Sequence, residues 1–369
     1  MLSTSSKPIF FIGVRGRVWP IKNVSEKEVR GSNIIVIISH MKNIDILAIG
    51  DTVVDAFIRM NDAEVKCDEN EENCKLCVRY GDKVPYESVE ICNAVGNCAN
   101  AAVSASRLGL SSALYSYVGG DQNGKDCISS LEKDGVETKY VHVDTENKTN
   151  YHYVLWYDVD RTILVKHEHY KYDFKVEEAP KWIYLTSLGD NTFDFQMQIV
   201  DFVESHSETK LAFQPGTFQI KMGKEKLERI YKNSEIFFCN VEESQHILNE
   251  TSRDLPTLMK GINALGPKTV VITDGFNGAY AFEASTGDMW FMPIYPHTPF
   301  ERTGAGDAYA STIVSMLAQG KSLSESLTWA PINSMSVVQQ VGAQKGLLTP
   351  EKIEDYLAKA PEDYKIKKI

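Results

Sequence analysis

Short runs of apolar residues alternate with segments of helical periodicity along most of the chain. The apolar runs predict buried strands over Ile44–Ile49, Trp182–Leu185, Leu211–Phe213, Glu235–Cys239 and Thr269–Thr273. Helical spacing of apolar residues predicts helices over Asn97–Leu108, Phe193–Ser205 and Glu242–Asn249. This alternation predicts an α/β fold in which helices cover both faces of a mostly parallel sheet. Ligands of such sheets bind beyond the carboxyl ends of the strands, so we expect the chemistry there.

Two regions interrupt the alternation. Residues 56–95 are polar and irregular, apart from scattered alternation around Cys74–Tyr80. Residues 150–168 predict a β-hairpin with strands over Tyr151–Tyr157 and Thr162–His167 and a turn over residues 158–161. We therefore expect these two segments to form a small β-lid carried on the main domain. His167 and His169 would then share one face of a lid strand, as part of the lid surface.

The first forty residues stand apart from this pattern. Pro8–Val14 is apolar but short, and it lacks the longer apolar region and cleavage site of a secretory signal. Ile34–Ile38 could form a strand, but no packing pattern connects it to the next segment of the chain. Met41 opens a cleaner segment, so we expect residues 1–40 to be a disordered or upstream-translated extension. Residues 41–369 would then form one domain.

Composition and charge narrow the classes of partner. The 369 residues include 39 basic and 50 acidic side chains, which give a formal net charge of −11. This negative balance disfavours binding to the phosphate backbone of nucleic acid. The sequence has no run of about 18 apolar residues, so we expect no membrane partner.

The seven cysteines are an odd count at low density, which predicts reduced thiols in a cytoplasmic protein. Four of them, Cys67, Cys74, Cys77 and Cys92, lie within the expected lid. Four thiolates can hold zinc, but the irregular spacing of these residues disfavours a zinc site.

The sharpest motif is Thr303-Gly-Ala-Gly-Asp307, which leads directly into a helical pattern that ends near Gly320. A glycine-rich loop at a helix N-terminus lets backbone N–H groups approach an anion, and the helix dipole adds positive potential. Asp307 then has two explanations. It could be an acidic residue that gains about 0.3–1 kcal/mol from the dipole. Alternatively, its carboxylate could accept a proton from a hydroxyl that attacks a phosphoryl group.

Thr303–Asp307 resembles the C-terminal signature of the ribokinase-like, PfkB-type carbohydrate kinases. The family's N-terminal signature, Gly-Gly-x-x-x-Asn before an alanine-rich helix, resembles Val95–Asn100. Three further elements are similar to the family in the same order: Gly50–Asp55 to its first strand end, Asn240–Glu243 to its Asn-x-x-Glu element, and Thr273–Gly275 to its nucleotide loop. The resemblance runs from about Ile44 to Leu357. It implies a three-layer α/β/α ribokinase-like fold with a mostly parallel sheet and a small β-lid.

The resemblance also implies roles for the matching residues. For catalysis it implies Asp307 as the base and the backbone N–H groups of Gly304, Ala305 and Gly306 as an anion site. It implies substrate contacts by Asp55, Gly96, Asn97 and Asn100, ATP contacts by Asn240, Thr273, Gly275 and Asn333, and water-mediated Mg²⁺ binding by Glu243. Plainer alternatives remain, since Asp55 could cap a turn, the asparagines near residue 97 could start a helix, and 240–243 could be an ordinary strand-to-helix turn.

Three departures from the family pattern bear on specificity. Val95 replaces the first glycine of the N-terminal signature and narrows the pocket by one side chain. Glu301 and Arg302 replace the usual Asp-Thr, near which family members often bind a monovalent cation, so a potassium requirement is not assumed. Gln214 stands where an acidic residue or asparagine is common, which removes a charge near the metal.

These features together predict an ATP-dependent kinase that phosphorylates a hydroxyl of a small sugar, as ribokinases and fructokinases do. A nucleoside kinase, with adenosine as the obvious substrate, is an alternative within the fold. A non-catalytic metabolite-binding protein is an alternative from another class, although such a protein does not need the base Asp307. Because the lid would expose unpaired strand edges, we also expect a homodimer that forms through the lid.

Overall fold

The computed structural model describes residues 43–68, 74–158 and 160–369, together with the backbone of residues 10–14 and 17–21. The chain divides into two compact units, Met1–Lys42 and Asn43–Ile369. In the first unit, strands β1 (Phe10–Val14) and β2 (Arg17–Ile21) pair as an antiparallel hairpin. The strand considered at Ile34–Ile38 lies outside the described residues. The expectation for residues 1–40 therefore stays a prediction.

The second unit contains the remaining strands and all the helices of the described residues. Its strands are β3 (Ile46–Ile49), β4 (Val53–Met60), β5 (Glu64–Lys66), β6 (Lys75–Cys77), β7 (Tyr86–Val95), β8 (Ser112–Gly119), β9 (Val141–Asp144), β10 (Asn150–Tyr157), β11 (Asp160–Leu164), β12 (Trp182–Leu185), β13 (Lys210–Phe213), β14 (Ser234–Asn240), β15 (Thr269–Thr273), β16 (Ala279–Glu283), β17 (Asp288–Met292) and β18 (Lys367–Lys368). Its helices are α1 (Asn97–Arg107), α2 (Gln122–Lys133), α3 (Phe193–Ser205), α4 (Thr217–Met222), α5 (Glu228–Asn233), α6 (Val241–Leu248), α7 (Leu255–Asn263), α8 (Ala305–Ala318), α9 (Leu323–Val337) and α10 (Pro350–Ala358), with a 3₁₀ turn at Gly275–Asn277. No helix of these residues is long and apolar enough to cross a membrane.

A ten-stranded sheet forms the middle layer, in the order β18-β17-β16-β15-β14-β13-β12-β3-β8-β9. Its strands from β15 to β9 are parallel, and β16, β17 and β18 extend it in antiparallel fashion. Side chains alternate between the two faces, so Ile46 and Ala48 join one hydrophobic core while Leu47 and Ile49 join the other. The first core contains residues of α1, α2, α8, α9 and α10, and the second contains residues of α3, α5, α6 and α7. The predicted three-layer α/β/α architecture is confirmed.

The lid is a second sheet, with strand order β11-β10-β4-β7. The segment 56–95 is more regular than its polar sequence indicated, because β4 starts at Val53 and β7 runs over ten residues. The turn predicted over residues 158–161 was wrong. Tyr157 pairs with Asp160, and Arg161 lies in β11 opposite Trp156. The second strand ends at Leu164, so His167 and His169 lie beyond it.

One prediction about the cysteines was also wrong, because Cys67 and Cys74 form a disulfide. Strands β5 and β6 pair antiparallel, with Lys66 opposite Lys75. Cys67, which follows β5, and Cys74, which precedes β6, therefore lie opposite each other. Two of the four thiols considered for zinc are therefore used in a covalent bond. The five other cysteines are free thiols.

Candidate active site

Asp307 lies in the first turn of α8, beyond the carboxyl ends of the parallel strands. Gly304, the residue before this helix, has φ +81°, and a Cβ there would lie 2.3 Å from the Cβ of Ala343. Only glycine fits this position without strain. The first N–H groups of a helix have no partner within it, so those at the start of α8 remain available to an anion.

Three side-chain amides hold the Asp307 carboxylate. Asn97 donates to Oδ1 at 2.8 Å, Asn100 donates to Oδ2 at 2.8 Å, and Gln214 donates to Oδ1 at 3.2 Å. Burial raises the pKa of Asp307 above its ordinary value, and the three hydrogen bonds oppose that rise. The carboxylate is therefore oriented by neutral donors, and it is a stronger proton acceptor than an exposed aspartate.

The two asparagines reach Asp307 because they lie at the start of α1. The preceding Gly96 has φ +103°, and a Cβ there would lie 2.6 Å from the backbone oxygen of Asp51. The sequence implied that Asn97 and Asn100 contact substrate. The structure shows that they bind the carboxylate of Asp307 while also lining the neighbouring cavity. The amide of Gln214, a departure from the family pattern, is a third member of this set.

A cavity of about 470 Å³ lies between the lid and the main sheet, and Asp307 is part of its wall. Asp55 on β4 and His152 on β10 are register partners and line it from the lid. The His152 Nδ1 lies 3.4 Å from Asp55 Oδ1 without forming a hydrogen bond. Asp55 Oδ1 and the other ring nitrogen, His152 Nε2, are both buried without a hydrogen bond. Buried polar atoms normally have partners, so these atoms are suited to bind ligand hydroxyls.

Sequence reasoning missed a second acid–histidine pair in this cavity. The Nδ1 of His167 lies 3.2 Å from Asp51 Oδ2, again without forming a hydrogen bond. Asp51 also accepts hydrogen bonds from the Tyr172 hydroxyl and the Gly189 N–H. The expectation that His167 lies on the lid surface was wrong, because its segment leaves the lid after β11 and passes the cavity. The alternating aromatic residues 170, 172 and 174 are the sequence feature that indicates this inward path, since they pack into the second core.

A second cavity lies on the other side of the first turn of α8. Its wall includes Thr273 and Gly275 from the predicted nucleotide loop, and Ala305 and Gly306 from the glycine-rich loop. Apolar side chains complete it, among them Met292, Pro293, Ile294, Pro331 and Met335. An apolar slot that ends at a set of helix N–H groups is suited to a nucleotide, whose base is flat and whose phosphates are anionic.

Asn333 does not line this cavity, contrary to the expectation of an ATP contact. Its amide is fully buried, donates to Thr312 and accepts from the backbone N–H of Leu348. It therefore ties α8 and α9 to the segment before α10. The neighbouring Ser334 lines the cavity instead.

Asn240 and Glu243 form a reciprocal cap at the start of α6. The Asn240 side chain accepts from the Glu243 N–H at 2.7 Å, and Glu243 Oε2 accepts from the Asn240 N–H at 2.9 Å. The ordinary strand-to-helix turn that was the alternative for residues 240–243 is therefore present. Both residues also line a cavity shared with Gly304–Asp307, and Glu243 Oε1 accepts no hydrogen bond among the described residues. Burial raises the pKa of Glu243. Its free oxygen is a hard donor at the phosphate end, which fits Mg²⁺.

Comparison with known proteins decides the family. A sequence model of the pfkB family of carbohydrate kinases matches residues 61–350. The chain belongs to the pfkB family. The chain is 25% identical over 307 residues to a nucleoside kinase of Methanothermobacter thermautotrophicus, and this alignment covers 82% of the chain and 92% of the relative. It is 24% identical to the ribokinase of Bacillus subtilis, over 71% of this chain and 87% of that protein.

A solved structure supports the fold. Arabidopsis thaliana ribokinase, complexed with ribose and ATP, superposes with a TM-score of 0.68 at 17% identity, over 85% of this chain and 99% of that one. By its family and by the two relatives named above, this pfkB kinase is a phosphotransferase of the sugar and nucleoside kinase class. In its structure, the first turn of α8 separates the lid cavity from the apolar slot.

Proposed function

We propose that this pfkB kinase transfers the γ-phosphoryl group of ATP to a hydroxyl of a small sugar. The observation that supports this most strongly is the position of Asp307. Its carboxylate lines the lid cavity and also the cavity formed by the glycine-rich loop. A sugar hydroxyl in the first cavity and a phosphoryl group in the second would therefore meet at this one side chain.

Each part of the site has a role in the transfer. Asp307 accepts the hydroxyl proton as the hydroxyl oxygen attacks the γ-phosphorus. The backbone N–H groups of Gly304, Ala305 and Gly306 stabilise the negative charge of the transferring group. Asn240 and Glu243 would hold Mg²⁺ through water, and the bound ion would neutralise phosphate charge. The lid covers the acceptor cavity and excludes water, which limits hydrolysis of ATP.

The polar atoms of the lid cavity favour a sugar as acceptor. Asp55, His152, Asp51 and His167 present oxygen and nitrogen atoms from two sides, as recognition of several hydroxyls requires. A second candidate, a nucleoside, is favoured by an apolar wall in the same cavity, formed by Val95, Ile163, Val165 and Phe218. Phe218 packs edge to face against His167, so a flat base could lie beside the polar group.

A purely binding role is disfavoured by the energetics of Asp307. Burial of an ionised carboxylate destabilises the fold, and a protein that only binds a metabolite gains nothing from it. The raised pKa of Asp307 is typical of a group that is used as a base.

We further propose that the kinase is a homodimer formed through the outer face of the lid. Three apolar residues on different strands, Ile91, Tyr153 and Leu164, are 57%, 49% and 51% exposed. Their register places them in one row across the sheet, on the opposite face from Asp55 and His152. An exposed apolar row on a sheet with free edges is a surface that association would cover.

Light scattering tests the dimer. The wild type should have twice the chain mass of 41.4 kDa. Tyr153→Glu should reduce that mass to the monomer, while Tyr80→Glu, at an exposed tyrosine outside the four-stranded sheet, should not. A monomeric wild type at micromolar concentration would rule the proposal out.

The kinase activity is tested by coupled measurement of ADP release with ATP, Mg²⁺ and a panel of pentoses, hexoses, phosphosugars and nucleosides. We expect one acceptor class to raise ADP release far above the rate without acceptor, and mass spectrometry to show the phosphorylated product. The Asp307→Asn variant provides the matched control for each active compound. No acceptor-dependent ADP release across the panel would contradict the proposal.

A further inference from the structure

His297 is a polar side chain in the wall of the largely apolar slot that suits a nucleotide. Among the described residues, the other polar side chains of this wall are those of Thr273, Tyr309 and Ser334. Thr273 and Tyr309 also line the cavity of the glycine-rich loop, whereas His297 and Ser334 do not. His297 and Ser334 therefore lie at the end of the slot that would hold the base.

The position of the proton on the His297 ring follows from a backbone contact. Its Nδ1 lies 2.6 Å from the carbonyl oxygen of Tyr295. A carbonyl oxygen only accepts hydrogen bonds, so Nδ1 carries the proton and donates. Tyr295 is itself held in place, because its ring packs edge to face against Tyr356 and Tyr364. Its hydroxyl also donates to the carbonyl oxygen of Tyr356.

This contact leaves Nε2 of the neutral His297 ring as a hydrogen-bond acceptor. Nε2 has no hydrogen-bond partner in the part of the chain that the structure describes. Ser334 presents the same polarity, because its hydroxyl donates to the carbonyl oxygen of Ala305 at 3.0 Å and retains only the lone pairs of its oxygen. The two polar side chains at the base end of the slot therefore offer acceptors, which match a base with an amino group there.

Hydrogen-bond polarity distinguishes the purine bases at position 6 of the ring. Adenine has an amino group there, which donates, whereas guanine and hypoxanthine have an oxygen, which accepts. An acceptor on the protein binds the amino group, but it faces the lone pairs of the oxygen with no proton between them. This mismatch leaves polar atoms unpaired on both sides, which costs more than the loss of one hydrogen bond.

We propose that His297 is a specificity-determining residue of this kinase, which selects adenine nucleotides by accepting a hydrogen bond from the amino group of the base at Nε2. The inference rests on the proposed kinase function, in which the slot binds ATP. The apolar wall, which includes Met292 and Pro331, can hold a flat ring whatever its substituents. It therefore supplies affinity without choosing among purines, and the choice is made by His297, with Ser334 as a second acceptor.

The first test measures binding of ADP and IDP with Mg²⁺ by calorimetry, without any acceptor sugar. The assays are at about pH 8, where imidazole in water is neutral. The wild type should bind ADP about 10-fold more tightly than IDP, or more. The same preference should appear in kcat/KM for ATP over ITP on the best acceptor, and GTP should behave as ITP does.

Two substitutions separate the two nitrogens of the ring. His297→Asn places an amide nitrogen near the position of Nδ1, so it can still donate to Tyr295 but lacks an acceptor at the position of Nε2. Its preference for ATP over ITP should fall to within about threefold, through weaker use of ATP. His297→Gln reaches the position of Nε2 with an amide that accepts or donates, so it should retain ATP and gain ITP. At saturating nucleotide, kcat should stay within about threefold of the wild type in both variants.

The matched control is His206→Asn. The Nδ1 of His206 also lies close to a backbone carbonyl oxygen, that of Phe202 at 2.9 Å, but the residue follows α3 and does not line the slot. This variant should keep the wild-type preference for ATP over ITP. Thermal unfolding checks that all three variants fold.

The outcomes separate this inference from the function on which it rests. A wild type that binds ADP and IDP within about threefold of each other would overturn the role of His297. A preference for adenine that survives in His297→Asn, or is lost equally in His206→Asn, would overturn it too. A wild type that binds ADP over IDP through His297 but phosphorylates no acceptor would contradict the proposed function and support His297 as the residue that selects the base.

Discussion

Replacing Asp307 by asparagine tests the central step of the mechanism. The substitution preserves the size of the side chain and one oxygen, which can still accept from Asn97 or Asn100. It removes the ability to take up a proton. Since Gly304 and the first turn of α8 are unchanged, the anion site should remain formed.

The expected loss follows from the role of a general base. Such a group contributes about 10²–10⁴ in rate, which corresponds to roughly 3–5 kcal/mol of activation free energy. ATP binding depends on the N–H groups and the apolar slot, so the KM for ATP should change only a few-fold. If Asp307 served only the helix dipole, the substitution would lower stability by about 0.3–1 kcal/mol and leave turnover nearly intact.

The assay measures kcat and both KM values by ADP release, after thermal unfolding has shown that the variant folds. Asp194→Asn is the control, because Asp194 is an acidic residue in the first turn of α3, outside the cavities lined by Asp307. It should retain wild-type turnover. Near-normal kcat in Asp307→Asn would refute the assignment of Asp307 as the base.

The Asp307→Asn variant also tests how the free energy of unfolding depends on pH. Burial raises the pKa of Asp307 above its unfolded value, so the protonated carboxyl is the form that the native state favours. The stability associated with this shift is present below the unfolded pKa and is lost as the pH rises through the folded pKa. Asparagine does not titrate. The variant should therefore gain stability relative to the wild type as the pH rises from about 4 to 8. Urea unfolding measures this difference, and a difference that shrinks with rising pH would contradict the burial argument.

Two further substitutions test the walls of the site. Gly304→Ala should lower the free energy of unfolding by about 1–3 kcal/mol or more, because of the positive φ and the clash with Ala343. Gly306→Ala, whose Cβ would meet nothing closer than 3.9 Å, should unfold near the wild-type temperature, and equal Tm values for the two variants would contradict this argument. Asp55→Asn should raise the KM for the acceptor about 10- to 100-fold and leave the KM for ATP unchanged, since a charged hydrogen-bond acceptor is lost. An unchanged acceptor KM would place the substrate away from Asp55 and His152.

The central sheet was predictable because its strands are buried on both faces. Trp182–Leu185 and Thr269–Thr273 were predicted with the bounds that the structure shows, since uninterrupted apolar runs carry that signal. The lid strands were harder. Strand β7 is mostly exposed along Tyr86–Glu90, so its sequence resembles a polar loop, and only pairing with β4 makes it a strand.

The motif around Asp307 was equally visible in the sequence, but the partners of its carboxylate were not. Asn97 is 210 residues away and Gln214 is 93 residues away, and only the parallel sheet brings their strand ends together. Gln214 looked like a departure that removed a charge, whereas in the structure it is a hydrogen-bond donor. His167 was assigned to the lid surface because local periodicity does not show where a strand ends and the chain turns inward.

The two-residue period of the lid strands gives the lid two separate surfaces. Asp55, His152 and Arg161 point inward toward the cavities, while apolar residues such as Tyr153 and Leu164 lie on the outer face. A shift of one residue in the register of β10 would exchange the two sets. Association through the outer face would fix the strand positions and thereby the inward residues that line the two cavities. Loss of the dimer in Tyr153→Glu should therefore raise the acceptor KM even though Tyr153 does not line the cavity. Wild-type kinetics in a monomeric variant would show that the register is maintained by the lid alone.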